Sequence, residues 1–174
     1  MIRLLLFSLI CMSFTSYTTS IYTFKIKSID NGNIHLSHFS GKKILLVNTA
    51  STSPYVNQYA SLDSLHQLYH DSLVIIAIPS NSFGREPLNN NQIKNFVNST
   101  YNIHYILARK IDVKGRNMAP LFRWLALPGE NGMMRGKVNG DFYKFLINSS
   151  GTLIGTFNGS VQPMSSTIRD LIEQ

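Results

Sequence analysis

Two uninterrupted apolar runs, Ile44-Leu45-Leu46-Val47 and Leu73-Val74-Ile75-Ile76-Ala77-Ile78, limit the folds open to this chain. A strand with water on one side alternates apolar and polar residues. A strand with no polar position has to be covered on both faces. Between the two runs, apolar residues at 55, 56, 59, 62, 65, 68 and 69 follow helical spacing from Tyr55 to His70. The chain therefore has a strand–helix–strand core with a covered sheet.

The flanking segments extend this pattern. Tyr22 to Ile29 alternates and reads as a half-buried strand, Asp30-Asn31-Gly32-Asn33 as a turn, and Ile34–Leu36 as the returning strand of a hairpin. Residues 79–91 are rich in Pro, Gly, Asn and Ser and read as a loop. Helices are predicted over 91–97 and over 117–125, the latter with Pro120 in its first turn, where proline is tolerated. Residues 142–147 and 152–157, joined by Asn148-Ser149-Ser150-Gly151, predict a second hairpin, and 163–173 a closing helix. The expected architecture is an α/β sandwich with a mixed central sheet flanked by helices and an N-terminal β-hairpin.

Residues 1–20 are set apart from this domain. Arg3, an apolar run from Leu4 to Met12 and a small polar tail have the layout of a secretory leader, too short to span a bilayer comfortably. We expect a signal peptide over 1–20, a single domain over 21–174, and an exported location, secreted or periplasmic. An uncleaved anchor is the alternative. Lipid attachment at Cys11 is disfavoured by Ile10 before it, where a small residue is normally needed. Cleavage removes Arg3, lowering the formal net charge of +7 by one, and also Cys11, the only cysteine. The mature chain then has no thiol, no disulfide and no thiolate metal ligand.

Four stretches resemble the glutathione peroxidase family. GKKILLVNTASTS is similar to that family's G-K-x-x-L-x-V-N-V-A-S-x-C-G strand and loop, and IPSNSFGREP to its F-P-C-N-Q-F-G-x-Q-E-P motif. KIDVKGRNMAPLFRWL resembles K-I-D-V-N-G-x-N-A-x-P-L-Y-x-x-L, and DFYKFLINSSGTLIG resembles the N-F-x-K-F-L stretch. The matches run in order over roughly residues 22 to 172. The resemblance implies a thioredoxin-like fold and thiol-dependent reduction of hydroperoxides, an oxidative-stress activity with no bound cofactor or metal.

The resemblance also assigns positions. The nucleophile falls on Ser53, the assisting glutamine on Ser82, the tryptophan on Gly140 and the asparagine on Asp141. All four are substituted, while Asn48, Ala50, Ser51, Gln58, Tyr59, Asn81, Phe83, Glu86 and Pro87 around them are kept. A serine hydroxyl is undissociated at neutral pH without a dedicated base. Its oxygen also has no counterpart of the sulfenic acid that carries peroxide oxygen onward. The expectation is an impaired or inactive pseudoenzyme with a binding or interaction role. The alternative is a peroxidase or other oxidoreductase acting by a route these motifs do not show.

Other chemistry is weaker. STSPY around Ser53 is not a hydrolase elbow. His66 and His70 lie four apart on one predicted helix face, without a third metal ligand, and read as a solvated polar face. Cations concentrate between Arg109 and Lys137, which suggests contact with an anion: glutathione, another thiol, or a lipid or other anionic ligand. Aromatics are not interleaved with them, so nucleic acid is not expected. The short stretch 125–142 resembles compact, monomeric family members.

Overall fold

The computed structural model describes residues 19–127 and 137–174. The leader up to residue 18, and Glu130, Met133, Met134 and Arg135 of the 125–142 stretch, lie outside the described residues. Five strands form one sheet: β3 (Lys43–Thr49), β4 (Leu73–Pro79), β5 (Ile106–Leu107), β6 (Lys144–Ile147) and β7 (Leu153–Phe157). Their order is β5-β4-β3-β6-β7. β3 runs parallel to β4 with Leu45 opposite Ile75, and antiparallel to β6 with Leu45 opposite Leu146, so the sheet is mixed. A separate hairpin pairs β1 (Lys25–Lys27) with β2 (Asn33–His35).

Side-chain alternation along the strands divides the core. Ile44, Leu46, Ile76 and Ile78 pack with Leu121, Phe122, Trp124 and Leu125 of α3 (Pro120–Ala126). Leu45, Val47, Ile75 and Ala77 pack on the other face. They meet residues of α1 (Gln58–Tyr69), α2 (Asn90–Tyr101) and α4 (Ser166–Glu173). Both faces of β3 and β4 are thus covered, which is why neither strand tolerates a polar position in its middle. Each fully buried aliphatic side chain contributes about 1.5–3 kcal/mol. Among the described residues no helix is long and apolar enough to cross a membrane.

The local differences from expectation have physical causes. Ile21–Thr23 form a one-turn 3-10 helix capped by the Ser20 hydroxyl, which shortens the expected 22–29 strand to Lys25–Lys27. Tyr55 to Asn57 are turn residues, and α1 starts only at Gln58. α2 runs longer than expected, opening on an Asn89–Gln92 capping box and closing on Asn102 with φ +46°. α3 begins at Pro120, whose missing N–H costs nothing at that first position. β5, which alternation did not reveal, is only two residues long. Gly151, at φ +85°, closes the β6–β7 turn, and a Cβ there would lie 2.7 Å from the Tyr22 ring.

One core residue is unusual. Lys144 on β6 is fully buried opposite Val47, and its Nζ donates to the Phe142 carbonyl at 2.9 Å. Desolvation lowers its pKa from 10.5 to about 7. The unfolded chain therefore binds the proton more tightly between about pH 7 and 10.5, and stability rises with pH across that window. The expected slope is about 1.4 kcal/mol per pH unit. Buried Tyr59 and Tyr105, whose pKa values burial raises, oppose it only near pH 10 and above, where unfolded tyrosine ionises. Urea unfolding between about pH 7.5 and 9.5 should show this gain, and Lys144→Met should flatten it. An unchanged slope in the variant would assign the effect elsewhere.

Candidate functional site

The site forms where three loops meet beyond the carboxyl ends of β3 and β4. Asn48, fully buried near the end of β3, organises one side of it. Its Nδ2 donates to the Gly140 carbonyl at 3.0 Å, and its Oδ1 accepts the Tyr143 N–H at 3.1 Å. Its carbonyl accepts the Phe142 N–H at 2.6 Å, and its own N–H donates to the Tyr143 carbonyl at 3.2 Å. These four bonds hold a turn in which Gly140 has φ +115° and Phe142 φ +55°. The Gly140 conformation is one only glycine adopts freely. A Cβ there would meet no atom within 4 Å, so a larger residue is opposed by the backbone and not by crowding.

Glu86 organises the opposite side. Its carboxylate, fully buried, accepts the Ser51 N–H at 2.8 Å, the Ser51 hydroxyl at 2.7 Å and the Leu88 N–H at 3.3 Å. The Thr52 N–H and hydroxyl both donate to the Arg85 carbonyl, at 3.1 and 2.8 Å. The 79–91 loop is thereby fastened onto the loop that carries Ser53.

Ser53 is 3% exposed, and its Oγ accepts the Tyr55 N–H at 3.2 Å. Among the described residues, none of the five histidines is hydrogen-bonded to it. His104 pairs with Asp63 at 3.2 Å, and His35 stacks on His38 with ring centroids 5.2 Å apart. His66 and His70 share the α1 face, their rings 6.4 Å apart. No group of three or more His, Cys, Asp or Glu among the described residues is placed to hold a metal. Ser53 thus lacks the general base that a nucleophilic hydroxyl needs.

Ser82 serves as a brace. Its Oγ accepts the Ser80 hydroxyl and the Val113 N–H, both at 3.0 Å, which fills its two acceptor positions. Asp141 is buried, with a fully covered side chain. Its Oδ2 lies 3.3 Å from the Arg85 guanidinium, while its Oδ1 has no hydrogen-bond partner among the described residues. Arg85 is half-exposed and closes the site from outside. Gly159 lets the Tyr55 ring and the Asp141 carbonyl approach, since a Cβ there would lie 2.6 and 2.5 Å from them.

Ser53 and Asp141 therefore belong to one closed junction, Gly140 supplies its turn, and Ser82 points its acceptors toward Val113. Arg85, Tyr55 and Lys144 were not singled out as site residues from sequence. A linear reading offers nothing to pair Arg85 with an acid 56 residues away. Of the Arg109–Lys137 cations, Arg109 donates to Asn31, Lys110 to the Leu88 carbonyl, and Lys114 sits 5.1 Å from the Phe83 ring centroid. Cavities of about 340 and 420 Å³ open elsewhere, and Ser53, Ser82, Gly140 and Asp141 line neither.

The Glu86 junction has a direct test. Glu86→Ala leaves the Ser51 and Leu88 N–H groups without acceptors and should cost about 2–4 kcal/mol in urea unfolding. Glu86→Gln, which keeps one acceptor oxygen, should fall between that variant and the parent. Equal midpoints for all three would show that the carboxylate does not hold these loops together.

A glutathione peroxidase family model matches residues 21–126. Glutathione peroxidase homolog BsaA of Bacillus subtilis is 30% identical over 159 residues, spanning 89% of this chain and 99% of its own. Hydroperoxy fatty acid reductase gpx1 of Synechocystis is 32% identical over 83% of this chain and 89% of its own. The crystal structure of Trgpx in apo form, 29% identical, superposes with a TM-score of 0.67 over 91% of this chain and 98% of its own. A thioredoxin-family thiol:disulfide interchange protein of Chlorobium tepidum shares the fold at 19% identity and a TM-score of 0.61, over 91% of this chain and 95% of its own. With a thioredoxin-like sheet, a family model over most of its length and relatives matched nearly end to end, the chain belongs to the glutathione peroxidase family.

Proposed function

We propose that this chain is an exported member of the glutathione peroxidase family that has lost hydroperoxide reduction and acts by binding. The family reaction reduces hydroperoxides at the expense of a thiol. Its first half needs an atom that takes up peroxide oxygen, and its second half needs a sulfur that an external thiol can attack. The only cysteine of the sequence, Cys11, lies in the expected leader, so a processed chain has no thiol to carry out either half.

The observation that carries this reading is the state of Ser53, the position to which motif resemblance assigns the nucleophile. It is 3% exposed, and its oxygen serves as the acceptor of a tight turn. The assisting positions agree with this. Ser82 has both acceptor sites filled, Gly140 presents no side chain, and Asp141, paired with Arg85, puts an acid where the resemblance assigns a neutral amide. Binding is assigned to the basic surface that includes Arg109 and Lys110. Glutathione, another thiol, or a lipid or other anionic ligand remain the partner classes that charge favours. Export rests on the layout of residues 1–20.

The deciding measurement is turnover of hydrogen peroxide and of a lipid hydroperoxide by purified protein, with glutathione and thioredoxin as donors. Rates are expected to equal those of a heat-unfolded control, and sustained donor-dependent turnover above it would defeat the reading. Ser53→Cys should stay about a hundredfold or more below a Cys-bearing relative, because the assisting groups are still missing. Recovery of full activity would place the whole loss on one atom. Mass spectrometry of the secreted protein should find its N-terminus near Ser16 or Ser20, and an intact Met1 would remove the leader from the proposal.

A further inference from the structure

A groove of about 340 Å³ lies between the N-terminal hairpin, the segment after β5 and the first turn of α3. The hairpin is held there by two main-chain bonds. The Arg109 N–H donates to the Lys27 carbonyl and the Ile29 N–H to the Leu107 carbonyl, both at 2.9 Å, which together make a bridge between Ser28 and Ala108. Alternation along β1 turns Lys25 and Lys27 outward while Phe24 and Ile26 face the core. Ile111 and Leu121 complete an apolar floor.

The charged residues that line this groove are all cationic: Lys25, Lys27, Arg109 and Lys110, with no acidic residue among the described ones. Lys110 is held inward by the Leu88 carbonyl at 2.6 Å. Arg109 gives one N–H to Asn31 Oδ1 at 2.9 Å and keeps the rest of its fork. Lys25 and Lys27 are exposed, and among the described residues neither ammonium has a hydrogen-bond or ion-pair partner. The nearby carboxylate of Asp30 is already paired with Lys94 at 2.5 Å. The groove thus pairs an apolar floor, which selects a hydrocarbon body, with a positive rim, which selects one anionic end. A small zwitterionic peptide such as glutathione offers no apolar body for that floor, and a polyanion offers nothing to cover it.

We propose that this groove binds a medium-chain alkyl carboxylate, its chain on Phe24, Ile26, Ile111 and Leu121 and its carboxylate between Lys25, Lys27 and Arg109. This deepens the binding role proposed above by naming the site and ligand class, and it places the ligand away from Ser53. A built-in reporter exists. Trp124, the only tryptophan, has its ring 6.1 Å from that of Phe24, and it shares α3 with Leu121.

The test titrates the full chain with octanoate, followed by Trp124 emission and by calorimetry. Saturable binding below about 1 mM is expected, falling as salt rises. Lys25→Gln with Lys27→Gln should weaken it about five- to tenfold. Both lysines are exposed, so the unfolding midpoint should not move. Octanol should not match octanoate, and inorganic phosphate should not displace it. Parent-like affinity in the double variant, equal binding of octanol, displacement by phosphate or absence of saturation would each overturn the proposal. Peroxide turnover decides the other reading separately. An active enzyme that still binds octanoate sinks only the loss of catalysis, and an inactive protein that ignores octanoate sinks only the groove.

Discussion

The buried amide of Asn48 is the constraint on which the site end of the molecule depends. It lies near the end of the central strand, where the main chain has begun to lose its β6 partner. Two side-chain and two main-chain bonds from this one residue replace the ladder with a turn. Few other side chains would serve, because the position needs a donor and an acceptor side by side with no charge. The turn it holds contains a left-handed phenylalanine, a conformation that persists only when its surroundings impose it. Phe142 is itself buried and meets the Tyr59 ring edge-on at 5.4 Å. The strained turn is therefore anchored to the sheet by hydrogen bonds and to α1 by packing.

How this junction is built separates the residues that hold the fold from the positions that the resemblance assigns to chemistry. Asn48, Ser51 and Glu86 satisfy buried main-chain groups, and losing any one would leave an N–H or a carbonyl unpaired inside the protein. Ser53, Ser82 and Asp141 lie among them, yet their side chains bond only locally or to one or two neighbours. Ser53 caps its own turn, Ser82 braces Val113, and Asp141 takes Arg85. A peroxidase needs its reacting group to remain exposed and its helpers unsatisfied until substrate arrives. Under the function proposed above, the same positions have become part of the framework.

The fold was legible because burial on two faces leaves a strong trace in sequence. β3 and β4 could be read from composition alone, and the two hairpins from their turn residues. β5 could not, since a two-residue edge strand has no periodicity to detect, and Ile103 to Leu107 reads equally well as a loop. The beginning of α1 was misplaced because Tyr55 and Val56 are apolar for tertiary reasons. Both pack against the core from a turn, and Tyr55 lies over Gly159. At the site, motif order assigned Ser53, Ser82, Gly140 and Asp141 but carried no information on their surroundings. That Ser53 is covered, or that Arg85 reaches Asp141, depends on loops brought together from distant parts of the chain.

The basic character of the surface has a structural origin beyond the formal charge of +7. The chain has nine acidic residues, and Asp63, Glu86 and Asp141 are buried in hydrogen bonds or ion pairs that hold loops and helices together. Asp63 accepts from His104 and Gln67, Glu86 from Ser51, and Asp141 from Arg85. Turning these carboxylates inward satisfies the backbone at the site and removes them from the outer surface. Among the lysines, Lys43 and Lys110 donate to the Ile172 and Leu88 carbonyls, and burial of Lys144 favours its neutral amine. Carboxylates committed to the interior leave fewer acids at the surface to balance exposed cations such as Lys25 and Lys27.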